Sequence, residues 1–85
     1  MIFYELYITI YNHHTKEKEI NTLSFYKNYL TAMKTKTEKT HQKHAHLVHW
    51  DYDATISGEC VEFINKNGEF IEHTYRIKTH QMIED

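Results

Sequence analysis

Histidine is the residue in this sequence that most clearly suggests chemistry, because its imidazole binds transition metals and exchanges protons near neutral pH. The chain contains eight histidines in 85 residues. Four of them fall, together with two aspartates, in the stretch HQKHAHLVHWDYD at residues 41–53. This stretch could form a metal site, respond to pH, or belong to a structural element that carries histidine at its surface.

A metal site needs two to four converging ligands. His44 and His46 would project from the same side of a strand, where they could chelate zinc, copper or nickel, and His41 or residues 13–14 could supply a third ligand. However, that side of the strand is also predicted to face the core, and no zinc motif such as H-E-x-x-H is present. We therefore expect no metal site and keep His41, His44 and His46 as weak candidates.

Signals for catalysis are equally weak. Cys60 and His73 come closest to a nucleophile with a general base. However, the predicted pairing of the last two strands places their side chains on opposite sides of the sheet. The sequence contains two glycines, and it has neither a G-x-S-x-G motif nor a glycine-rich phosphate loop. We expect a protein that is not an enzyme and that uses no cofactor.

The composition favours a cytoplasmic protein with a single domain at residues 1–85. A chain of this length is too short for two separate cores. Cys60 is the one cysteine, so an internal disulfide is excluded and a reducing compartment is expected. No apolar run approaches the ~20 residues that span a bilayer, and the first residues, MIFYELYITIYN, lack the features of a signal peptide.

The first element that could position side chains is a strand at residues 2–11. Mainly aliphatic residues occupy its even positions, and the rings of Phe3, Tyr7 and Tyr11 occupy odd positions. Alternation of β-branched and aromatic residues with a period of two predicts a strand. We expect the even positions to face the core and the three rings to lie on the opposite side.

A helix is predicted to follow a polar loop at residues 12–19. Apolar side chains recur at helical spacing over residues 23–33, and either Asn21 or Ser24 could cap the start. Beyond this segment the sequence is rich in lysine and threonine, and threonine is a poor helix former. The helix is therefore expected to end near residue 39.

Alternation with a period of two returns over residues 44–56, which predicts a second strand. Val48 and Trp50 fall on the side assigned to the core, whereas Asp51 and Asp53 fall on the opposite side. In this arrangement the two aspartates would share a sheet face with the rings of the first strand.

The last predicted strands form a hairpin around Asn67-Gly68, a strong turn signal. A two-residue loop and a three-residue loop compete. We prefer the three-residue loop with Gly68 in the left-handed conformation, because it pairs Phe63 with Ile71 and gathers the apolar side chains on one face. The predicted fold is a two-layer α+β domain, with one helix packed on a four-stranded, mainly antiparallel sheet in the order β-α-β-β-β.

The sheet face that the helix leaves uncovered is the most informative feature for function. It is predicted to present five residues that would bind a partner: Phe3, Tyr7, Tyr11, Asp51 and Asp53. Aromatic rings are typical of protein interfaces, and carboxylates around them would favour a protein partner with a basic surface. Burial of the rings in a homodimer is an alternative that is compatible with binding a partner.

Nucleic acid is a less favoured partner, because an acidic sheet face repels phosphate and the net charge of the chain is −2. The alternative function is a histidine-rich metal-binding or nucleic-acid-binding module that uses residues 34–49. The sequence is rich in Ile, Lys, Asn and Tyr, whose codons are A/T-rich. We therefore expect a viral or mobile-element protein that binds and inhibits or modulates a host protein.

Overall fold

The computed structural model describes residues 1–82 as five strands and one helix. The elements in chain order are β1 (Ile2–Asn12), β2 (Lys18–Tyr26), α1 (Tyr29–His49), β3 (Ala54–Ser57), β4 (Cys60–Ile64) and β5 (Phe70–Gln81). The strands form one sheet in the order β2-β1-β5-β4-β3, and all neighbouring strands are antiparallel. The predicted α+β class is confirmed, but the sheet has five strands rather than four.

The central strands β1 and β5 pair along almost their whole length, from Ile2 opposite Gln81 to Asn12 opposite Ile71. Because the side chains of a strand alternate between faces, this pairing places the even-numbered residues of β1 on the same face as the odd-numbered residues of β5. Leu6 and Ile8 are buried, with 0% and 7% exposure. The even positions of β1 therefore face the core, as the sequence predicted.

The core lies between α1 and the inner face of the sheet. Its main cluster joins Leu47 of α1 to Val61, Phe63 and Ile71 on β4 and β5. Removing a side chain of this size from water contributes roughly 1.5–3 kcal/mol to folding. Because each of these strands contributes to a shared cluster, α1 and the β4–β5 hairpin stabilise each other.

The helix contributes only a narrow stripe to this core. Its buried residues are Ala32, Thr40 and Leu47, and most of the remaining positions are polar or exposed. Within residues 1–82, no helix combines the length and the apolar character that a bilayer span requires.

The β4–β5 hairpin adopts the preferred register. Phe63 pairs with Ile71, and the backbone N–H of Asn65 donates to the carbonyl of Glu69 at 2.9 Å, which leaves three residues in the loop. Gly68 has a φ of 77°, a left-handed conformation that glycine adopts without the steric cost of a Cβ. The predicted register and the conformation of this glycine are both confirmed.

The helix begins later than the sequence predicted. Asn28 is the N-cap, and its side-chain oxygen accepts a hydrogen bond from the backbone N–H of Thr31 at 3.2 Å. Neither Asn21 nor Ser24 is the cap, because both residues lie within β2. Several side chains could cap a helix in this stretch, and the sheet pairing decided among them.

The helix also ends later, so the strand predicted over residues 44–56 is wrong for most of its length. Residues up to His49 are helical, and the strand is confined to Ala54–Ser57. Val48 and Trp50 are 50% and 62% exposed and do not belong to the core. The burial of Leu47 against the sheet favours helix here, and tertiary packing commonly outweighs weak local propensity.

The unpredicted strand β2 includes the last residues of the expected loop and the expected start of the helix, while residues 13–17 form the turn between β1 and β2. It pairs with β1 but contains a bulge, since Leu6 is opposite Ser24 and Tyr7 is opposite Thr22, which leaves Leu23 as an extra residue. A bulge shifts the alternation of side chains by one position. The apolar residues of β2 therefore do not alternate regularly along the sequence, and their spacing resembles that of a helix.

Candidate interaction surface

The sheet face opposite α1, here called the outer face, carries the rings that the sequence placed there. Phe3, Tyr7 and Tyr11 project from β1 and are half-buried. The pairing of β1 with β2 and β5 adds further side chains to the same face: Lys18, Thr22, Phe25, Glu72, Arg76, Lys78 and His80. The three rings are therefore part of one continuous surface that another molecule could contact.

One end of the outer face is an apolar aromatic group, here called the Phe3–Phe25 cluster. The ring centroids of Phe3 and Phe25 are 5.7 Å apart, and the Phe3 ring stacks on His80 at 5.0 Å with an interplanar angle of 11°. Phe25 is 59% exposed. Met1 and Met82 lie beside these phenylalanines around an open hollow of about 440 Å³. Exposed apolar surface of this kind is typical of interaction sites.

The other end of the outer face is a second aromatic group that includes a carboxylate. The ring of His13 lies edge-on to Tyr11 at 4.6 Å and to Phe70 at 4.8 Å. Its Nε2 atom is 3.1 Å from a carboxylate oxygen of Glu72. The imidazole therefore holds the two aromatic rings and the carboxylate together at this end of the sheet.

The charges of the outer face are balanced rather than acidic. The hydroxyl of Thr22 donates a hydrogen bond to the carboxylate of Glu5, and His80 Nε2 is 2.7 Å from the other carboxylate oxygen. Both contacts lower the pKa of Glu5, and the hydrogen bond from Thr22 has the larger effect. The other charged residues of this face are of both signs: Lys18, Glu62, Glu72, Arg76 and Lys78. The predicted acidic face is therefore wrong, and with it the reason for expecting a basic partner.

Asp51 and Asp53 do not lie on the outer face. Both are exposed in the connection between α1 and β3, and Asp51 has a left-handed φ of 61°. They line a hollow with Trp50 and Tyr52 at the C-terminal end of the helix. Their predicted position beside the rings is wrong, because the chain is not yet a strand where these aspartates occur.

The histidines at residues 41–49 lie on α1, which removes the geometric basis for chelation by His44 and His46. Successive helical residues are about 100° apart around the axis, so these two side chains are separated by about 200°. His41 and His44 share a helix face, but two imidazoles do not complete a site. Among residues 1–82, the one group of three potential ligands that lie close together includes none of these histidines.

That group lies on the outer face and consists of Cys60, Glu62 and Glu72, whose ligand atoms are within 4.8 Å of one another. Burial is the first cause of a raised pKa for the Cys60 thiol, which favours the neutral thiol over the thiolate that binds metal. Thr74 is the partner of Cys60 on β5, so the adjacent His73 lies on the opposite face. The predicted separation of Cys60 from His73 is confirmed.

The sequence patterns did not predict Phe25 and His80, which form the Phe3–Phe25 cluster with the predicted Phe3. The helical spacing of residues 23–33 predicts that Phe25 belongs to a helix, because the bulge in β2 hides the alternation around it. The residues at 78–81 are polar and give no apolar alternation that would place His80 on a strand. Only the pairing of β5 with β1 brings His80 opposite Phe3.

Comparison with protein families, curated proteins and solved structures finds no match to this chain. Function is therefore inferred from the residues of this protein alone. The largest concentration of accessible aromatic and apolar groups on the outer face is the Phe3–Phe25 cluster. An arrangement of this kind can bury apolar area against a second molecule.

Proposed function

We propose that this protein is a non-enzymatic binding module that docks on a protein partner through the outer face. The Phe3–Phe25 cluster is its anchor. The observation that supports this proposal is the exposure of Phe25, at 59%, beside the hollow that it forms with Phe3. Interfaces obtain most of their binding energy from a few aromatic anchors that become fully desolvated. A partner side chain that fills this hollow would bury the exposed part of both rings.

The charged residues on the rest of the face would orient the partner and would add little to the binding affinity. Glu62 and Glu72 face each other on neighbouring strands, and Arg76 lies near Glu59, with Nε 3.8 Å from a carboxylate oxygen. Charges at the rim of an interface mainly affect the association rate and the choice of partner. The partner is therefore one with an apolar anchor at its centre and charges of both signs around it.

The composition of the chain supports a host protein as the partner. A short protein rich in residues with A/T-rich codons is typical of viruses and other mobile elements. A protein of this origin that has an exposed aromatic surface fits a role in binding and modulating a protein of its host in the cytoplasm. Docking would then block a surface that the host protein needs.

The proposal is tested by affinity capture from host cells with the wild-type protein, followed by binding measurements with the recovered partner. Replacement of both phenylalanines, Phe3→Ala with Phe25→Ala, is expected to weaken binding by at least about thirtyfold, since the loss of even one anchor residue costs about 2 kcal/mol or more. Tyr7→Ala in the middle of the face is expected to weaken binding to a smaller extent. Circular dichroism of each variant shows whether it is folded.

Leu30→Ala is the matched control, because Leu30 is an apolar residue with 75% exposure that lies on α1, away from the outer face. This control is expected to bind as the wild type does. Recovery of the same partner at the same affinity with the folded double phenylalanine variant would exclude the proposed surface. Loss of self-association in that variant, with no other partner affected, would assign the outer face to a homodimer.

A further inference from the structure

A second accessible cavity opens at the C-terminal end of α1, on the side of the sheet that contains the core. Its volume is about 330 Å³, which falls within the range of small-molecule sites. The lining residues come from α1, the following connection, β4 and the β4–β5 loop: Lys43, His46, Leu47, Trp50, Tyr52, Phe63 and Lys66. This cavity is separate from the Phe3–Phe25 cluster and plays no part in the function proposed above.

The walls of the cavity are aromatic. Trp50 is 62% exposed, although an indole ring offers the largest apolar area of any side chain and is usually well buried. Tyr52 and Phe63 meet edge to face, with ring centroids 5.7 Å apart at 88°. Leu47, with 4% exposure, closes the floor. Such walls suit a flat ring, because stacking on aromatic side chains contributes roughly 1–3 kcal/mol for each nucleobase.

The charges at the cavity are positive. Lys43 and Lys66 both line it, with His46 beside them, and no carboxylate is among the lining residues. Across residues 1–82, neither lysine forms a salt bridge with a carboxylate. Lys43 Nζ lies 5.8 Å from the centre of the Phe63 ring, so a cation already occupies that ring face. An anion, rather than a second cation, would be favoured there.

The two exposed aspartates lie beside this cavity and not within it. Asp51 and Asp53 line an adjoining hollow that shares Trp50, Tyr52 and Lys66 with the first. The last carbonyls of the helix are also occupied, since those of His46 and Leu47 accept hydrogen bonds from the backbone N–H groups that follow. These carbonyls are therefore not free to contact a ligand, and the formally charged side chains that line the first cavity are the two lysines.

We propose that the cavity binds a ring that carries a phosphate, namely a nucleotide. The base stacks on Trp50 and Tyr52, and the phosphate contacts the ammonium groups of Lys43 and Lys66. A free mononucleotide and the terminal nucleotide of a single-stranded nucleic acid share this chemistry. This site is independent of the outer face, so either proposal can fail without the other.

Trp50 is the only tryptophan in the chain, and its fluorescence therefore reports directly on the cavity. Titration of the full chain with AMP or UMP is expected to give a saturable change in this fluorescence, and calorimetry is expected to give the same affinity. Adenosine lacks the anion and is expected to bind at least about tenfold more weakly than AMP, because a charged contact is lost. Inorganic phosphate lacks the ring and is also expected to bind about tenfold more weakly, because the stacking of the base is lost. Absence of a saturable signal with both nucleotides would overturn the proposal.

Lys43→Ala and Lys66→Ala are each expected to weaken binding of AMP about tenfold. Lys34→Ala is the matched control, because this exposed lysine lies on the same helix, nine residues and roughly 13 Å from Lys43, and it should leave the affinity unchanged. Equal affinity in the folded double lysine variant would also overturn the proposal. A short single-stranded oligonucleotide with a terminal phosphate distinguishes the two possible ligands. If it binds more tightly than AMP, the ligand is the end of a nucleic acid. If it binds equally or more weakly, the ligand is a free nucleotide.

Discussion

At the scale of single residues, His73 carries the largest change in protonation behaviour. It is buried on the inner face, its Nδ1 has no hydrogen-bond partner within the described residues, and its ring lies 5.4 Å from that of Phe63. Burial, followed by the charge of Lys43, lowers the pKa of His73 to about 4, while Glu19 acts weakly in the opposite direction. The folded protein therefore holds this imidazole neutral at pH values where the unfolded chain protonates it.

Stability should consequently fall in acid. With a pKa near 6.5 in the unfolded chain and about 4 in the folded chain, His73 leaves stability intact above pH 6.5 and lowers it as pH falls toward 4. The loss approaches about 3 kcal/mol at the lower end of this window. Urea unfolding of the wild type and of His73→Leu across this window should show that the variant lacks this loss.

The exposed His41 supplies the control, and His41→Ala should keep the wild-type pH dependence. If His73→Leu loses stability with falling pH as steeply as the wild type does, the acid sensitivity arises from another group.

At the scale of secondary-structure elements, α1 depends on its ends and on tertiary packing more than on its composition. Its interior is rich in threonine, and hydroxyl groups such as those of Thr35 and Thr37 donate hydrogen bonds back to carbonyls one turn earlier. Side chains of this type favour helix interiors only weakly. The N-cap hydrogen bond of Asn28 and the buried Leu47 near the other end therefore define the length of the helix.

Removal of this cap should have a measurable cost. Asn28→Ala is expected to lower the free energy of unfolding by about 1 kcal/mol, because the backbone N–H of Thr31 loses its acceptor. Chemical denaturation followed by circular dichroism measures this change.

Asn28→Asp is the matched control, because the carboxylate can accept the same hydrogen bond. The first turn of α1 contains no acidic residue, so the added negative charge should interact favourably with the helix dipole. An equal loss of stability in both variants would mean that the capping hydrogen bond is not what anchors this end of the helix.

At the scale of the whole molecule, the protein is thin, with extents of 52 × 25 × 16 Å. One helix covers one face of the sheet, so the core is a single layer of contacts and few side chains are fully buried. Leu6 and Val61 are the largest apolar residues with no exposure. A domain of this size has only a small stability margin, and each of these core residues should account for a large part of it.

Leu6→Ala is therefore expected to lower the free energy of unfolding by about 2–5 kcal/mol, the range for a buried leucine that leaves a cavity. Leu30→Ala makes the same chemical change at an exposed site, and its effect should stay within about 0.5 kcal/mol. Urea denaturation at neutral pH compares the two variants directly. A similar, small effect in both would show that the inner face does not hold the fold together.

The sequence by itself determined those elements in which the local sequence pattern and the tertiary packing favour the same conformation. The unbroken alternation of β1 specified its two faces, and Gly68 specified the register of the β4–β5 hairpin, because a left-handed loop position and the apolar pairing of Phe63 with Ile71 require the same alignment. These features rest on contacts between residues that are near each other in sequence or on a period that no bulge interrupts. They were enough to place Phe3, Tyr7 and Tyr11 on an uncovered face.

Tertiary structure alone decided the rest. The bulge at Leu23 gave β2 the spacing of a helix, and the pairing of β2 with β1 settled its conformation and brought Phe25 to Phe3. The segment at residues 44–49 suits a strand or a helix, and packing of Leu47 against the sheet selected the helix. That choice moved Asp51 and Asp53 away from the rings and put Trp50 at a cavity, because the energy of long-range packing exceeds the small local preferences that a sequence pattern records.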